Sequence, residues 1–169
     1  MPMAKNMWEL AWDCNLEHNA WLSICDAKVA VPATYPTTDK ATLGRGKNCN
    51  ITEKTNSYDP AIIKNFGRMA SGEVKGFACT YNSCGTNGDA ELLCAYSAKV
   101  ADNTALYTPT NTDTEICNAC PQNKCVFYLC KDAYTPVADV EPKSRCPNNE
   151  DGMTYDMQTI ALSAHNYYR

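Results

Sequence analysis

The sequence predicts an α+β fold that disulfide bonds hold together. Amphipathic helical patterns occur near the start, in the middle and at the end of the chain, and two short strand patterns lie between them. Eleven cysteines among 169 residues indicate an oxidising compartment, because cytosolic reductants would keep so many thiols reduced. The odd number of cysteines leaves one of them without a partner inside the chain.

The first helix is predicted over residues 6–25. Apolar residues and cysteines recur there at spacings of three and four, which is the pattern of one buried helix face, and Asn6 is a suitable N-cap. That face consists of Met7, Leu10, Ala11, Cys14, His18, Trp21, Leu22 and Cys25. Trp8 and Trp12 form a second stripe, which we expect to pack under the sheet rather than to bind a ligand.

Residues 26–59 are predicted to form a long irregular excursion, because Thr, Asn, Lys, Gly and Pro replace any periodic pattern. Within it, Asn50 begins an Asn-Ile-Thr sequon and is therefore a predicted N-glycosylation site. Asp59 and Pro60 then provide a cap and a first-turn proline for a second helix, which we expect to end near Ser71.

Two strands are predicted at residues 76–81 and 91–96. The glycine-containing segment 85–89 joins them as a hairpin. Pairing the two strands places Cys79 nearly opposite Cys94.

A third helix is predicted from Thr154, its N-cap, to Arg169. Polar linkers at residues 102–114 and 131–149 precede it. Its apolar side is predicted to consist of Met157, Ile160, Ala161, Ala164 and Tyr168. We expect this helix to have nothing to pack against within the chain, and a lone helix of some four turns is marginal in water.

Four closely spaced cysteines between the two linkers could bind zinc through thiolates or form disulfides. Paired zinc knuckles usually stand about 15 to 20 residues apart, which this spacing does not match. Disulfides are therefore the favoured state of Cys117, Cys120, Cys125 and Cys130. Phe127 and Tyr128 are expected to cover this knot.

The two histidines have both a structural and a catalytic interpretation. His18 lies four residues after Cys14 and could act as a base beside a thiol, but a reactive thiolate must be reduced and partly exposed. A buried core histidine beside a disulfide is the favoured reading. His165 is likewise expected to form a structural hydrogen bond rather than to catalyse a reaction.

Charge and hydropathy exclude two classes of function. The net charge is −4 and the sequence has no Lys/Arg cluster, so nucleic-acid binding has no electrostatic support. No stretch approaches the roughly 20 apolar residues that span a bilayer.

Several motifs occur in a characteristic order. They are the run from Met7 to Cys25, the helix at 65–70 followed by Gly-Phe-Ala-Cys at 76–79, the strand at 92–96, and His-Asn-Tyr-Tyr-Arg at 165–169. In this order they resemble the CAP superfamily of cysteine-rich secretory proteins, venom allergens and plant pathogenesis-related proteins. Within it they look most like the secreted, two-domain activation-associated proteins of parasitic nematodes.

This resemblance implies an α-β-α sandwich, here incomplete and with a disulfide-rich hinge. Residues 1–101 would form a CAP-like domain without its first helix, 102–149 a linker and cysteine-rich hinge, and 150–169 the opening helix of a truncated second CAP domain. We therefore expect the chain to be a piece of a longer secreted protein, and Met1 is not followed by the apolar run of a signal peptide.

This organisation groups the cysteines into six in the first domain and four in the hinge. Ten cysteines are predicted to form disulfides: Cys14, Cys25, Cys49, Cys79, Cys84, Cys94, Cys117, Cys120, Cys125 and Cys130. Cys146 is predicted to be the free thiol.

Family members with a metal-binding cleft use two histidines and two glutamates. In this sequence Lys47 stands where one glutamate belongs, and Asn65 stands where one histidine belongs. The remaining two ligands have no candidate. The resemblance therefore implies neither a metal nor another cofactor at the cleft.

The resemblance favours a secreted protein that binds rather than catalyses. It implies that the protein acts at a host-parasite interface, with an extracellular protein or a small apolar ligand as its partner. The sequence also lacks an assembled set of acid, base and nucleophile. One alternative is a hydrolase whose cleft carries Glu53 and Glu73. Another is a lipid or sterol carrier with an apolar cavity between helices.

Overall fold

The computed structural model describes residues 3–25, 35, 37, 41–42, 60–84, 90–101, 103–121, 124–138, 146 and 152–169. Three helices, one short 3-10 helix and eight strands lie within these ranges. In chain order they are β1 Met3–Ala4, β2 Ala11–Trp12, α1 Cys14–Ser23, β3 Ala41–Thr42, α2 Pro60–Met69, β4 Gly76–Ser83, β5 Ala90–Tyr96, β6 Pro109–Thr110, a 3-10 turn Asp113–Glu115, β7 Cys125–Val126, β8 Leu129–Cys130 and α3 Tyr155–Tyr168.

The central sheet has four strands in the order β2-β4-β5-β3. The β4–β5 pair is antiparallel, as predicted, and its register places Cys79 opposite Cys94. Strand β2 is parallel to β4 and pairs with its first residues, while β3 is antiparallel to β5. The turn at 85–89 lies outside the described residues. Two smaller antiparallel pairs, β1–β6 and β7–β8, lie outside this sheet.

The two faces of the sheet bury different helices, because successive strand residues point to opposite sides. On one face, Ala78 and Ala95 pack against the apolar residues of α1. On the other face, Phe77 and Tyr96 pack with Leu10 and with residues of α3. Helix, sheet and helix therefore form three layers, which confirms the predicted α-β-α sandwich.

The first helix is shorter than predicted, and the prediction of helix for residues 6–13 is wrong. Residues 11–12 form strand β2, and α1 begins only at Cys14. The backbone N–H of Ala11 donates to Lys75 O, so a long-range sheet bond replaces the helical one. The predicted cap is also wrong, because Asn6 Oδ1 instead accepts a hydrogen bond from Thr108 N. Apolar residues at spacings of three and four indicate a helix, but they do not exclude a short strand that pairs with a distant part of the chain.

Helix α2 confirms the second predicted helix, although the predicted cap Asp59 lies outside the described residues. Phe66 packs against a third apolar cluster next to the sheet. That cluster consists of Ala4, Met7, Ala70, Val100, Leu106, Tyr107 and Leu129. It joins the start of the chain to the cysteine-rich segment 117–130, which we call the hinge.

Helix α3 begins after its predicted cap, with Thr154 Oγ1 accepting from Met157 N. The expectation that α3 would have nothing to pack against is wrong, since Met157, Ala161 and Leu162 contact the sheet cluster. The predicted apolar side is also partly wrong, because Ile160, Ala164 and Tyr168 are exposed. Polar contacts, described below, set the rotation of the helix. The assignment of 150–169 to a second domain stays a prediction.

Five disulfides link ten cysteines in pairs: Cys14–Cys146, Cys25–Cys84, Cys79–Cys94, Cys117–Cys125 and Cys120–Cys130. The four hinge cysteines pair among themselves, as predicted. The prediction that Cys146 is a free thiol is wrong, because this residue crosses 132 positions of sequence to bond Cys14. Cys49, predicted to be bonded, lies outside the described residues.

No helix in the described ranges is both long enough and apolar enough to cross a bilayer.

The pairing predicts which thiol reacts. The other ten of the eleven cysteines are bonded in pairs, so Cys49 is the odd residue of the chain by arithmetic. Alkylation of the denatured, unreduced chain should therefore add one label, and peptide mapping should find it at Cys49. A label at Cys146 would contradict the Cys14–Cys146 bond.

Candidate functional site: an aromatic cleft between the hinge and helix α3

The hinge ends in a small hairpin that two disulfides fasten. Strand β7 pairs with β8 so that Cys125 faces Cys130 and Val126 faces Leu129. Both hinge disulfides end on these strands, one on Cys125 and one on Cys130. The hairpin therefore has little freedom to move relative to the rest of the hinge.

The two residues at the turn of this hairpin are Phe127 and Tyr128, which we call the aromatic tip. Both have a positive φ, 49° and 68°, which a two-residue turn with the twist of a hairpin requires. Asn and Gly normally occupy such positions, because a side chain with a Cβ is strained there. This backbone is unfavourable for two aromatic residues.

The aromatic tip does not cover the hinge knot, contrary to the prediction. Phe127 is 92% exposed and Tyr128 is 72% exposed. Only two residues separate strands β7 and β8, so both of them must form the turn of the hairpin. Turn residues lie at the surface, where their side chains are exposed to solvent. That spacing was the sequence signal that would have predicted an exposed tip.

The base of the hairpin is fixed to the first segment of the chain. Cys130 N donates to Met7 O at 2.7 Å, and Glu9 N donates to Cys130 O at 2.8 Å. Leu129 is buried in the same apolar cluster as Met7, and Lys131 forms an ion pair with Glu9 at 3.2 Å. The position of the tip thus follows from contacts that are far apart in sequence.

The last turn of α3 is held by Asn166. Its side-chain amide donates to Leu10 O at 3.1 Å, and its Oδ1 accepts from Leu10 N at 2.8 Å. One side chain therefore satisfies both backbone polar groups of a buried residue that lies just before strand β2. This pair sets the position and the rotation of α3.

Arg169 extends the same anchor. Its guanidinium donates to four backbone carbonyls: Trp8 at 3.1 Å, Met69 at 2.7 Å, Ser71 at 2.8 Å and Val74 at 3.1 Å. These oxygens belong to the first segment and to the turn after α2, where Met69 is the last helical residue. Burial lowers the pKa of Arg169 to about 9, so the side chain remains a cation at neutral pH.

His165 stacks on the sheet. Its ring centroid lies 4.0 Å from that of Phe77. Nδ1 lies 2.8 Å from Ala161 O, which places the proton of the neutral ring on Nδ1. Burial is the main cause that lowers the pKa of His165, and the Arg169 cation adds to this effect. The predicted structural hydrogen bond is thus present.

The start of α3 is fixed to α1 by a buried polar contact. Gln158 Nε2 donates to Glu17 Oε2 at 2.9 Å, and Trp12 Nε1 donates to the same oxygen at 2.6 Å. The Cys14–Cys146 disulfide lies beside this pair. Gly152 precedes the helix with φ +91°, and a Cβ there would lie 2.5 Å from Tyr81 O, so no other residue fits without strain.

A cleft of about 450 Å³ lies between the hinge and the end of α3. Its lining includes Met3 and Met7 from the first segment, Asp113 and Ile116 just before the hinge, and Leu129 from the hinge. The aromatic tip and the α3 residues Asn166, Tyr167 and Arg169 complete it. Tyr167 is 82% exposed at its rim. We call this region the aromatic cleft. It can bury apolar surface and stack rings.

Of the residues predicted from the sequence for other sites, the structure describes Asn65 and Glu73, and neither lines this cleft. Lys47, Asn50 and Glu53 lie outside the described residues. Asn65 is a partly buried residue of α2, and Glu73 is exposed in the turn after that helix. The loss of the metal tetrad and the glycan at Asn50 therefore stay predictions.

The hinge cysteines are in the disulfide state that their spacing favours. All four hinge cysteines are in disulfides and offer no thiolate. Three potential ligands approach one another at Cys25, Cys84 and Glu91, but the two cysteines are bonded to each other. His18 is buried in α1, which agrees with a core histidine.

Comparison with known proteins identifies the fold. The structure resembles the crystal structure of Na-ASP-1 with a TM-score of 0.59 and 20% identity over 91% of this chain. It resembles hookworm platelet inhibitor with a TM-score of 0.55 and 14% identity over 79% of this chain and 81% of that one. A structure of NaASP2 with Zn²⁺ gives a TM-score of 0.56 and 16% identity, over 76% of this chain and 79% of that one.

These neighbours are CAP proteins of the venom allergen-like type from nematodes, so the resemblance inferred from the sequence is confirmed at the level of the fold. The chain spans only 43% of the length of Na-ASP-1. No family model matches the sequence. No curated protein matches it either.

The hydrogen bonds of Arg169 to four backbone carbonyls should stabilise the fold. Replacing Arg169 with Ala leaves these oxygens without their charged donor, and we expect the free energy of unfolding to fall by about 2–4 kcal/mol. Urea unfolding measures this change. Tyr168→Ala is the matched control, because Tyr168 is 74% exposed, and a change within about 0.5 kcal/mol is expected. Equal losses in both variants would contradict the anchor.

The lowered pKa of His165 predicts a loss of stability in acid. The unfolded chain takes up the proton below its ordinary pKa of about 6.5, whereas the folded chain resists protonation. The contribution of His165 to the free energy of unfolding should therefore be fully present above that pH and should decrease as the pH falls below it. His165→Phe keeps a ring against Phe77 and should flatten this part of the profile. Unfolding by urea across that pH range measures it, and parallel profiles would refute it.

Proposed function

We propose that this chain is an extracellular binding protein and that the aromatic cleft is its contact surface. The observation that carries the proposal is the aromatic tip, where two large apolar side chains are both exposed and held in an unfavourable backbone conformation. A side chain that adds neither core packing nor a relaxed turn needs another reason to be there. Recognition of a partner supplies that reason.

The energetic argument has two parts. Left-handed backbone costs roughly 1–2 kcal/mol for each residue with a Cβ, so the tip loses stability compared with Asn-Gly. Phe127 regains little of this by burial, because it is 92% exposed. Strain that persists at an exposed position is characteristic of functional sites.

The disulfides favour binding by the same tip. Aromatic residues dominate the binding energy of protein interfaces, where they enter pockets on the partner. Two disulfides and the bonds of Cys130 to the first segment hold the tip in place before a partner arrives. A rigid contact residue loses less conformational entropy on binding than a mobile one.

An extracellular location is supported by the disulfides. Five of them would not persist in a reducing cytosol. The N-glycan predicted at Asn50 would agree with this location. The CAP proteins that share the fold support the same proposal.

The proposed partner is an extracellular or cell-surface protein of a host. A protruding aromatic tip suits a protein pocket better than a small ligand, because a small ligand gains most from a site that encloses it. The name of one fold neighbour, hookworm platelet inhibitor, describes an action on platelets. Intact platelets are therefore a suitable first probe for this chain.

A lipid or sterol carrier is the second candidate. The cleft volume of about 450 Å³ lies within the range of small-molecule sites, roughly 300–1,000 Å³. The exposed rim formed by the tip and Tyr167 argues against full enclosure. Extraction of the purified chain with organic solvent, followed by mass spectrometry, would detect a bound sterol.

A hydrolase receives less support. Glu73 is exposed in its turn, and the described residues bring no histidine to it. Both histidines instead pack in the interior of the sandwich, His18 in α1 and His165 against Phe77. We propose binding rather than catalysis on this ground.

Replacing the tip tests the proposal. Phe127→Asn together with Tyr128→Gly supplies the preferred turn residues, so the free energy of unfolding should rise by about 1–2 kcal/mol. Binding to platelets, measured by flow cytometry with labelled chain, should fall at least about tenfold, because hot-spot residues are lost. Stability and binding thus change in opposite directions, which simple misfolding cannot produce.

Tyr155→Ala is the matched control. Tyr155 is also a mostly exposed aromatic, 68% exposed, but it lies at the opposite end of α3 from the cleft. This variant should bind as the original chain does. Equal binding by the tip variant and the original chain would show that the aromatic tip is not the contact surface.

A further inference from the structure

A protruding group and a recess of apolar character lie next to each other on one face of the molecule. The protruding group is the aromatic tip, and the recess is the aromatic cleft that the tip borders. We propose that two copies of this chain associate through this face about a two-fold axis, each placing its tip in the cleft of the other. This inference rests on the proposed function, because both assign contacts to the aromatic tip and the aromatic cleft.

Two-fold symmetry makes such a contact closed. When one copy places Phe127 in its partner's cleft, the symmetry places the equivalent ring in its own cleft. Such an exchange requires the aromatic tip and the aromatic cleft to lie on the same face of the molecule. They do, because Tyr128 and the neighbouring Leu129 line the cleft. If they lay on opposite faces, the same contact would continue from copy to copy and form a filament.

The volume of the cleft suits this occupant. A recess of about 450 Å³ lined by Met3, Met7 and Ile116 can accept one or two aromatic rings. Methionine side chains adapt to the shape of an inserted ring and make favourable sulfur–aromatic contacts. Tyr167 at the rim can stack on the entering ring.

The available area is sufficient for a specific dimer. Three aromatic side chains that line the cleft are mostly exposed: Phe127, Tyr128 and Tyr167. Each aromatic side chain can bury roughly 150–250 Å². The rings of two copies together therefore bury on the order of 1,000 Å² or more, which reaches the size that specific interfaces need.

Charge affects this association in a recognisable way. Each copy has a net charge of −4, so two copies repel each other weakly. The cation of Arg169 at the cleft is already bound to four backbone carbonyls and is not the main attraction. An association driven by apolar burial should therefore become stronger when salt screens the repulsion.

The dimer would cover the surface that the proposed partner binds. Association of two copies and binding to a partner would then compete for the aromatic tip. Dilution would shift the equilibrium to the monomer and expose the tip.

Sedimentation velocity of the full oxidised chain, from micromolar to millimolar concentration, tests the proposal. We expect a reversible shift from monomer to dimer that high salt strengthens. Phe127→Asn with Tyr128→Gly should remain monomeric over the same range, and the Tyr155→Ala control should dimerise as the original chain does. The stability of the tip variant, measured by urea unfolding, shows that any loss of dimer is not a loss of fold.

A photo-crosslinker locates the contact. With p-benzoylphenylalanine at position 127, we expect crosslinks between two copies that map to segment 3–7 or to Ile116. A chain that stays monomeric at millimolar concentration would overturn the inference, as would a dimer that the tip variant also forms. If such a monomer still loses platelet binding through the tip variant, the proposed function stands while the dimer falls.

Discussion

The buried carboxylate of Asp13 is the interaction on which the arrangement of the hinge and the sandwich depends. One oxygen caps α1 by accepting from Asn15 N at 2.9 Å and Leu16 N at 3.2 Å. The other accepts from Val137 N at 2.9 Å and from the hydroxyl of Tyr134. Burial and this carboxylate both raise the pKa of Tyr134. A single side chain therefore starts a helix and holds the segment that follows the hinge.

Helix α3 is held in a similar way, by side chains that satisfy backbone groups. Asn166 binds both polar groups of Leu10, and Arg169 binds four carbonyls from two other segments. Such bonds matter because an unpaired polar group in the interior costs free energy. The helix contributes little apolar surface to the sheet beyond Met157, Ala161 and Leu162, so its rotation follows the polar contacts. At its other end, Gln158 Nε2 donates to Glu17 Oε2 of α1.

The aromatic cleft lies where the first segment, the hinge and α3 meet, and the bonds of Cys130 to Met7 and Glu9 hold the hinge side in place. Its lining residues lie outside the central sheet. Stability is concentrated in the sandwich and in the disulfides, while the strained aromatic tip lies outside them. Because of this separation, the residues of the tip can be substituted without loss of core packing. For the same reason we interpret the tip as a contact surface rather than as a part of the fold that adds stability.

The sequence by itself determined the local elements: the β4–β5 hairpin with its Cys79–Cys94 register, helix α2, the Thr154 cap and the pairing of the hinge cysteines among themselves. Each depends on neighbouring residues or on short spacing. Only the tertiary structure decided the start of α1, the docking of α3 and the Cys14–Cys146 bond. These depend on partners more than 60 residues away, and no local period records which distant backbone a side chain will meet.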